Sequence, residues 1–221
     1  MGLSELEVLL ALCERGAHNG WQNVKLGQIA SIFNVSKQTA LRCLRRLEAR
    51  GMIKRMKQGR TQAILVTDVG LGFLSKMKLN IERVLGRQQP SLILRGTVTT
   101  GMGEGRYYMR QRGYREQFRR KLGFTPFPGT LDLRVDKSHF GEVELLRALP
   151  GIIVHGFKDR NRTFGNVKVF PARIDKIECA VVFPERGHHR DIIEVIAPHN
   201  LRRVLKLRDG QSLEVRVWTE T

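Results

Sequence analysis

Acidic residues are scarce: the 221-residue chain holds 21 Asp plus Glu against 39 Lys plus Arg, a formal net charge of +18. That imbalance argues for polyanionic partners and says nothing by itself of fold. Cysteine is sparse too. Cys13, Cys43 and Cys179 lie far apart, no CxxC occurs and the count is odd, which indicates neither a zinc site nor a disulfide scaffold and fits a reducing cytoplasm. No apolar run approaches the length of a membrane span, so no membrane partner is expected. The start, Met1-Gly2-Leu3-Ser4-Glu5, lacks the basic region of a signal peptide. Internal repeats and low-complexity tracts are also absent. Two phosphate-binding signatures are missing: no Gly-rich loop ends in Lys-Ser/Thr, and no complete G-x-G-x-x-G occurs.

What is present divides near residue 90, where Gly86-Arg87-Gln88-Gln89-Pro90 reads as a short polar linker. Residues 1–90 hold 15 basic and 6 acidic residues and 91–221 hold 24 and 15, so each part is +9 but the first is denser in charge. Ser4-Glu5-Leu6-Glu7 predicts a capping box, followed by a helix with Leu6, Leu9, Leu10 and Cys13 on one face. Leu26 to Leu47 predicts two short helices. Asn34 and Val35 form the turn, Ser36 caps the second helix, and Ala40, Leu41, Leu44 and Leu47 face inward. Lys37, Gln38, Thr39, Arg42, Arg45 and Arg46 then face out, the pattern of a helix-turn-helix with a basic recognition helix. Met52–Arg55 and Gln62–Val66 read as strands flanking a basic tip that ends in Arg60, which makes the unit a winged helix. A solvated helix face is the bland alternative for these arginines, but cap, turn, apolar spacing and wing agree on duplex DNA. A helix over 68–85, with Leu71, Leu74, Met77 or Lys78, Ile81 and Val84 at helical spacing, can cover the small domain or pair two chains as a homodimer.

The second part is organised around Gly96-Thr97-Val98-Thr99-Thr100-Gly101-Met102-Gly103-Glu104-Gly105-Arg106. Alternate glycines permit φ > 0 and close approach of a ligand, and successive N–H groups can form a nest for an anion. Alone, the stretch reads equally as a tight hairpin or as a phosphate cradle, with Arg106–Arg110 as a return strand. Thr130 and Asp132, two apart on a strand over 130–135, share a face and offer hard oxygens of the kind Mg²⁺ accepts while keeping its waters. A helix over 114–122 stops at Gly123, and 139–149 is helical or irregular. Strands are expected at 92–99, 152–157, 164–170, 176–183, 191–197 and 213–218, with a short helix at 201–207. Many short strands with small helices suit a closed antiparallel barrel better than a βαβ fold.

Gly101-Met102-Gly103-Glu104-Gly105-Arg106-Tyr107-Tyr108, Leu122-Gly123-Phe124, Pro128-Gly129-Thr130-Leu131, Val167-Lys168-Val169 and Ile192-Ile193-Glu194-Val195-Ile196-Ala197-Pro198 stand in one order over residues 92–218. In that order they resemble the archaeal CTP-dependent riboflavin kinases, some of which carry an N-terminal winged helix-turn-helix and are described as kinase and regulator in one chain. The resemblance implies a winged helix over 1–90 followed by a mainly antiparallel six-stranded cradle-loop barrel over 91–221. It implies transfer of the CTP γ-phosphate to the 5′-hydroxyl of riboflavin, giving FMN and CDP, with regulation of flavin-related genes. By the same resemblance, residues 101–106 hold the nucleotide phosphates and His199, Asn200, Leu201 and Arg202 contact the nucleotide. Thr130 and Asp132 hold Mg²⁺, with Asp132 where the family usually has Asn. Glu194 is the flavin-binding acid and candidate general base, and Gly187 lies in the flavin-side loop, which lacks the Thr the family tends to place there. Adjacent His188 and His189 diverge along an extended chain and read as loop histidines. The alternative is a flavin- or nucleotide-sensing regulator whose kinase-like domain no longer turns over.

Overall fold

The computed structural model describes residues 3–58, 61–86, 91–101, 103–159, 162–185 and 191–219. They divide into two units, 3–81 with 140–145 and 82–139 with 146–219. Residues 140–145, beyond the expected boundary at residue 90, therefore group with the first unit. Among the described residues no helix is long and apolar enough to cross a membrane.

The first unit begins with the expected capping box: Ser4 Oγ accepts from the Glu7 amide at 3.2 Å, and the Ser4 amide donates to Glu7 Oε2 at 3.1 Å. Helix α1 (Glu5–Glu14) buries Val8, Leu9 and Leu12, while Leu10 is 46% exposed. The expected face was thus rotated, because this helix is apolar on several sides and spacing alone does not choose among them. After β1 (Gln22–Val24), α2 (Leu26–Ile32) and α3 (Lys37–Ala49) form the helix-turn-helix. Asn34 takes φ 49° in the turn, a conformation Asn tolerates, and Ser36 Oγ accepts from the Thr39 amide at 3.1 Å. Helix α3 buries Ala40, Cys43, Leu44 and Leu47, with Cys43 in the place expected of Leu41. Strands β2 (Ile53–Gln58) and β3 (Thr61–Val66) pair antiparallel, and β1 joins the other edge of β3.

Helix α4 (Asp68–Val84) departs from its apolar pattern. It buries Gly70, Gly72, Ser75 and Leu79, and leaves Ile81 56% and Val84 85% exposed. The small residues win because the helix packs by backbone approach. A Cβ on Gly70 would run into the Met52 carbonyl, and one on Gly72 would lie 3.1 Å from the Gly141 carbonyl.

The second unit runs β4 (Ser91–Thr99), α5 (Glu104–Arg110), α6 (Arg112–Leu122) and β5 (Leu131–Val135). A 3-10 turn (Lys137–His139) and α7 (Phe140–Ala148) follow, the first six residues of α7 grouping with the first unit. Then come β6 (Ile152–Val154), the small hairpin β7 (Lys158–Asp159) and β8 (Arg162–Thr163), β9 (Val167–Ile174), β10 (Ile177–Pro184), β11 (Ile192–Ile196), α8 (Leu201–Val204) and β12 (Ser212–Trp218). Six strands close a ring in the order β4, β5, β11, β10, β9, β12 and back to β4, every pairing antiparallel; β6 pairs with Val167–Val169 of β9, along the edge that β12 takes up at Ala172 and Arg173. This is the expected six-stranded barrel.

Strand alternation sets its two faces. Leu92, Leu94, Val98, Leu131, Leu133, Val135, Ile193, Val195, Val215 and Val217 are all buried and fill the interior. The opposite face of β10 and β11 carries Ala180, Val182 and Ile196, which pack with Met109, Tyr114 and Phe118 of α5 and α6. Residues 106–110 are helical, which corrects the expected return strand. Tyr107 and Tyr108 favour strands, but both edges of β4 are already occupied by β5 and β12, so a returning strand has nothing to pair with.

Candidate active site

Register brings the predicted residues together. Thr99 on β4 pairs with Asp132 on β5, and Asp132 pairs with Glu194 on β11, which in turn faces Val182 on β10. One cross-strand row on the outer face of the barrel therefore sets the two carboxylates directly opposite each other, at a Cβ separation of roughly 5 Å. Burial pushes the Glu194 carboxyl up to about 7, and the neighbouring negative charges of Asp132 and Glu104 push in the same direction. Thr130 Oγ1 donates to Asp132 Oδ1 at 3.0 Å, so hydroxyl and carboxylate act from one spot.

The glycine stretch leaves β4 and lies on that spot. Gly103 takes φ 79° and stands at the N-cap of α5, so the chain turns sharply into a helix rather than a hairpin. Gly101 and Gly105 are needed for a different reason from positive φ. A Cβ on Gly101 would overlap Asp132 Oδ2, and one on Gly105 would overlap Thr130 Oγ1. Bare backbone is what allows the first turn of α5 to sit against the Thr130–Asp132 pair. The Arg106 amide donates to the Gly103 carbonyl at 3.2 Å, while the Glu104 and Gly105 amides, at the first two helical positions, have no intrahelical acceptor, which suits them to a phosphate.

Gly101, Gly103, Arg106, Thr130, Asp132, His199, Asn200, Leu201 and Arg202 line one cavity of about 340 Å³, together with Thr99, Thr100, Phe127, Pro128 and Gly129. Glu104 and Gly105 lie in the same first turn, and Glu194 adjoins the cavity through its pairing with Asp132. Asn200 caps α8, its Oδ1 accepting from the Arg203 amide at 3.2 Å, which leaves the side-chain NH₂ as a donor. Leu201 is buried. Arg202 is held within the protein: Nη1 donates to Asp209 Oδ1 at 2.7 Å and Nη2 to the Thr99 carbonyl at 2.7 Å. Asp209 also accepts from Thr100 Oγ1 at 2.7 Å, and these two partners, Thr100 first, hold its carboxyl below the usual range. Asp209 escaped the sequence reading, since nothing local links it to Thr100, 109 residues away. Met102 and Gly187 lie outside the described residues, as do His188 and His189.

A divalent cation fits the donor set. Among the described residues no cluster of three or more His, Cys, Asp or Glu could hold a metal. Thr130 and Asp132 instead offer two adjacent hard oxygens of the kind that would hold Mg²⁺ with most of its waters retained.

On the first unit, Lys37, Gln38, Arg42 and Arg45 are exposed on α3. Thr39 Oγ1 is 2.9 Å from Ser36 Oγ, inside the cap. Arg46 pairs with Glu5 at 3.3 Å, and Arg50 pairs with the same carboxylate, so part of the basic face is neutralised from α1. Arg60 lies outside the described residues.

Residues 98–217 match the model of the CTP-dependent riboflavin kinase domain, described as domain of unknown function DUF120, and residues 3–59 match the MarR family. The chain belongs to the CTP-dependent riboflavin kinase family. It is 40% identical to the riboflavin kinase of Thermoplasma acidophilum over 192 residues, 87% of each chain. It is 40% identical to that of Archaeoglobus fulgidus over 213 residues, 96% of this chain and 91% of the relative. The riboflavin kinase of Picrophilus torridus is 41% identical over 188 residues, 85% of each chain. The family match covers the ring of barrel strands except residues 91–97 of β4 and the last residue of β12, and the MarR match covers α1 through β2.

Proposed function

We propose that this chain transfers the γ-phosphate of CTP to the 5′-hydroxyl of riboflavin, giving FMN and CDP, and that its winged helix binds duplex DNA to regulate flavin-related genes. The observation that carries the kinase reading is the row of Asp132 and Glu194 lying beneath the glycine turn. Phosphoryl transfer needs positioned charge more than covalent chemistry. Backbone N–H groups of 101–106 and the Arg106 guanidinium hold the triphosphate. Thr130 and Asp132 would hold Mg²⁺, which would supply neutralisation of phosphate charge. Glu194 takes the proton of the ribityl hydroxyl; a carboxylate poised near neutral pH is matched to that task. The Asn200 NH₂ faces a base whose Watson–Crick edge presents acceptors, as cytosine does at O2 and N3. Gly187 and Glu194 serve the flavin side. DNA contact falls to Lys37, Gln38, Thr39, Arg42, Arg45, Arg46 and Arg60, in a domain ending near residue 90. The helix at 68–85 pairs two chains, and the protein works in the cytoplasm.

The test is FMN formation by the purified chain with riboflavin, Mg²⁺ and each nucleoside triphosphate. CTP should support turnover and ATP little of it. Faster turnover with ATP would remove the nucleotide assignment.

A further inference from the structure

A second basic feature lies on the barrel unit, outside the nucleotide cavity. Arg110, at the end of α5, and Arg112, Arg115 and Arg119 of α6 line an open groove of about 240 Å³ with Glu116 and Thr125. Helical spacing of three and seven residues puts the three α6 arginines on one side, spread over roughly 10 Å. All four arginines are exposed. Arg112 pairs with Glu116 at 2.7 Å; no ion pair among the described residues holds Arg110, Arg115 or Arg119. From residue 106 to 121 the chain has seven basic residues and one acid. Crowding guanidinium groups around one groove costs self-repulsion, and a polyanion offsets it.

The exposure of the arginines decides what kind of anion fits. A lone small phosphate meeting exposed charges gains at most about 1 kcal/mol per pair and is screened by salt. A polyelectrolyte gains instead from release of its condensed counterions, a term that works at exposed charges and grows with each contact. Guanidinium also grips phosphate oxygens in pairs. We propose that this arginine groove is a second, sequence-independent contact surface for the phosphate backbone of duplex DNA, separate from the recognition helix. The choice of duplex DNA rests on the winged-helix reading of the first unit, with its exposed Arg42 and Arg45.

Five full-length proteins test it: wild type, Arg42→Ala/Arg45→Ala, Arg115→Ala/Arg119→Ala, the combination of these two, and Arg115→Lys/Arg119→Lys. Affinity for a random-sequence duplex is measured against salt concentration, with FMN formation followed in parallel. Losing two phosphate contacts should make the slope of log K against log salt less negative by about 1.8. Arg115→Lys/Arg119→Lys should keep the wild-type slope, because charge is what counts. Turnover and KM for CTP should stay at wild-type values, since neither residue lines the nucleotide cavity. An unchanged slope in Arg115→Ala/Arg119→Ala overturns the proposal. So does a raised KM for CTP with the slope unchanged, which would make the groove an antechamber for substrate. The two readings fail separately: if Arg42→Ala/Arg45→Ala has no effect while Arg115→Ala/Arg119→Ala flattens the slope, the recognition helix falls and the groove stands.

Discussion

Replacing Glu194 by Gln should make the protein more stable and nearly inactive, and the gain in stability should depend on pH. The carboxyl is pushed from 4.5 up to about 7, mainly by burial and then by Asp132 and Glu104. Below pH 4.5 folded and unfolded chains both carry the proton, so the site costs nothing. Between 4.5 and 7 the unfolded chain releases its proton while the folded chain keeps it, and stability falls as pH rises. Above 7 the full cost stands. At about 1.4 kcal/mol per pH unit, the ceiling is on the order of 3 kcal/mol. For a chain of this size that is a rise in Tm of roughly 6–12 °C. Gln has the same shape and no charge, so Glu194→Gln should gain up to that amount at pH 8 and almost nothing near pH 4.5. Adding Mg²⁺ with CDP should narrow the gap, because a cation at Asp132 offsets the repulsion from that neighbour but not the burial. FMN formation should drop by about 10²–10⁴-fold, the usual contribution of a general base. Thermal melts of both proteins from pH 4.5 to 8, beside initial rates, make the measurement. A Tm difference that is the same at both ends of the range would show that Glu194 ionises normally. Unchanged turnover would show that it is not the base.

Three further outcomes follow from the same geometry. Asp132→Asn should stay active with an altered Mg²⁺ requirement, whereas Asp132→Ala should lose most turnover at every Mg²⁺ concentration; initial rates across a Mg²⁺ titration separate them, and an Ala variant equal to wild type would refute the metal assignment. Gly105→Ala should cut turnover at least tenfold with little change in Tm, since its Cβ meets Thr130 Oγ1 and the turn must lift off the oxygen pair; normal activity would mean that this close approach is dispensable. Asp209→Asn should raise KM for CTP more than it lowers kcat, because Asp209 ties Arg202 and Thr100 into the cavity wall; an effect on kcat alone would argue against that role.

The winged helix was legible in its caps, its turn and its recognition helix, though not in the buried face of α1. Its signals are local: the Ser4 and Ser36 caps, the Asn34 turn, and apolar spacing that α3 reproduces with only Cys43 in place of Leu41. Helix α4 was legible in extent but not in orientation, because burial of Gly70 and Gly72 follows from what their backbones touch, a matter no hydropathy pattern records. The barrel strands could be read from short β-branched runs, and their number and closure suited the ring. The return strand at 106–110 failed because a local preference of two tyrosines was set against an edge already occupied by β12, whose partner residues lie more than a hundred positions away.

The candidate site shows the same division between local and non-local causes. Glycine spacing marked a turn that lines the cavity, and the two-residue step from Thr130 to Asp132 put two oxygens on one face. Those facts alone do not make a reactive centre. Burial raises the Glu194 carboxyl first, and Asp132 adds to that because β5 and β11 pair in the register that sets the two acids opposite each other. A slip of one residue on either strand would turn one of the two acids into the barrel interior, where Leu133 and Val195 now sit. The apolar residues alternating with the two acids therefore fix the register, and with it the distance between the carboxylates. Substitutions at Leu133 that leave the fold intact but loosen this pairing should lower the Glu194 carboxyl toward its ordinary range, an effect on proton affinity produced from a position outside the cavity lining. The acid limb of the pH–rate profile for Leu133→Ala, read beside its thermal melt, measures it. A limb that stays at the wild-type pH while stability falls by about 2–5 kcal/mol would show that strand pairing holds the acids in place without help from the core.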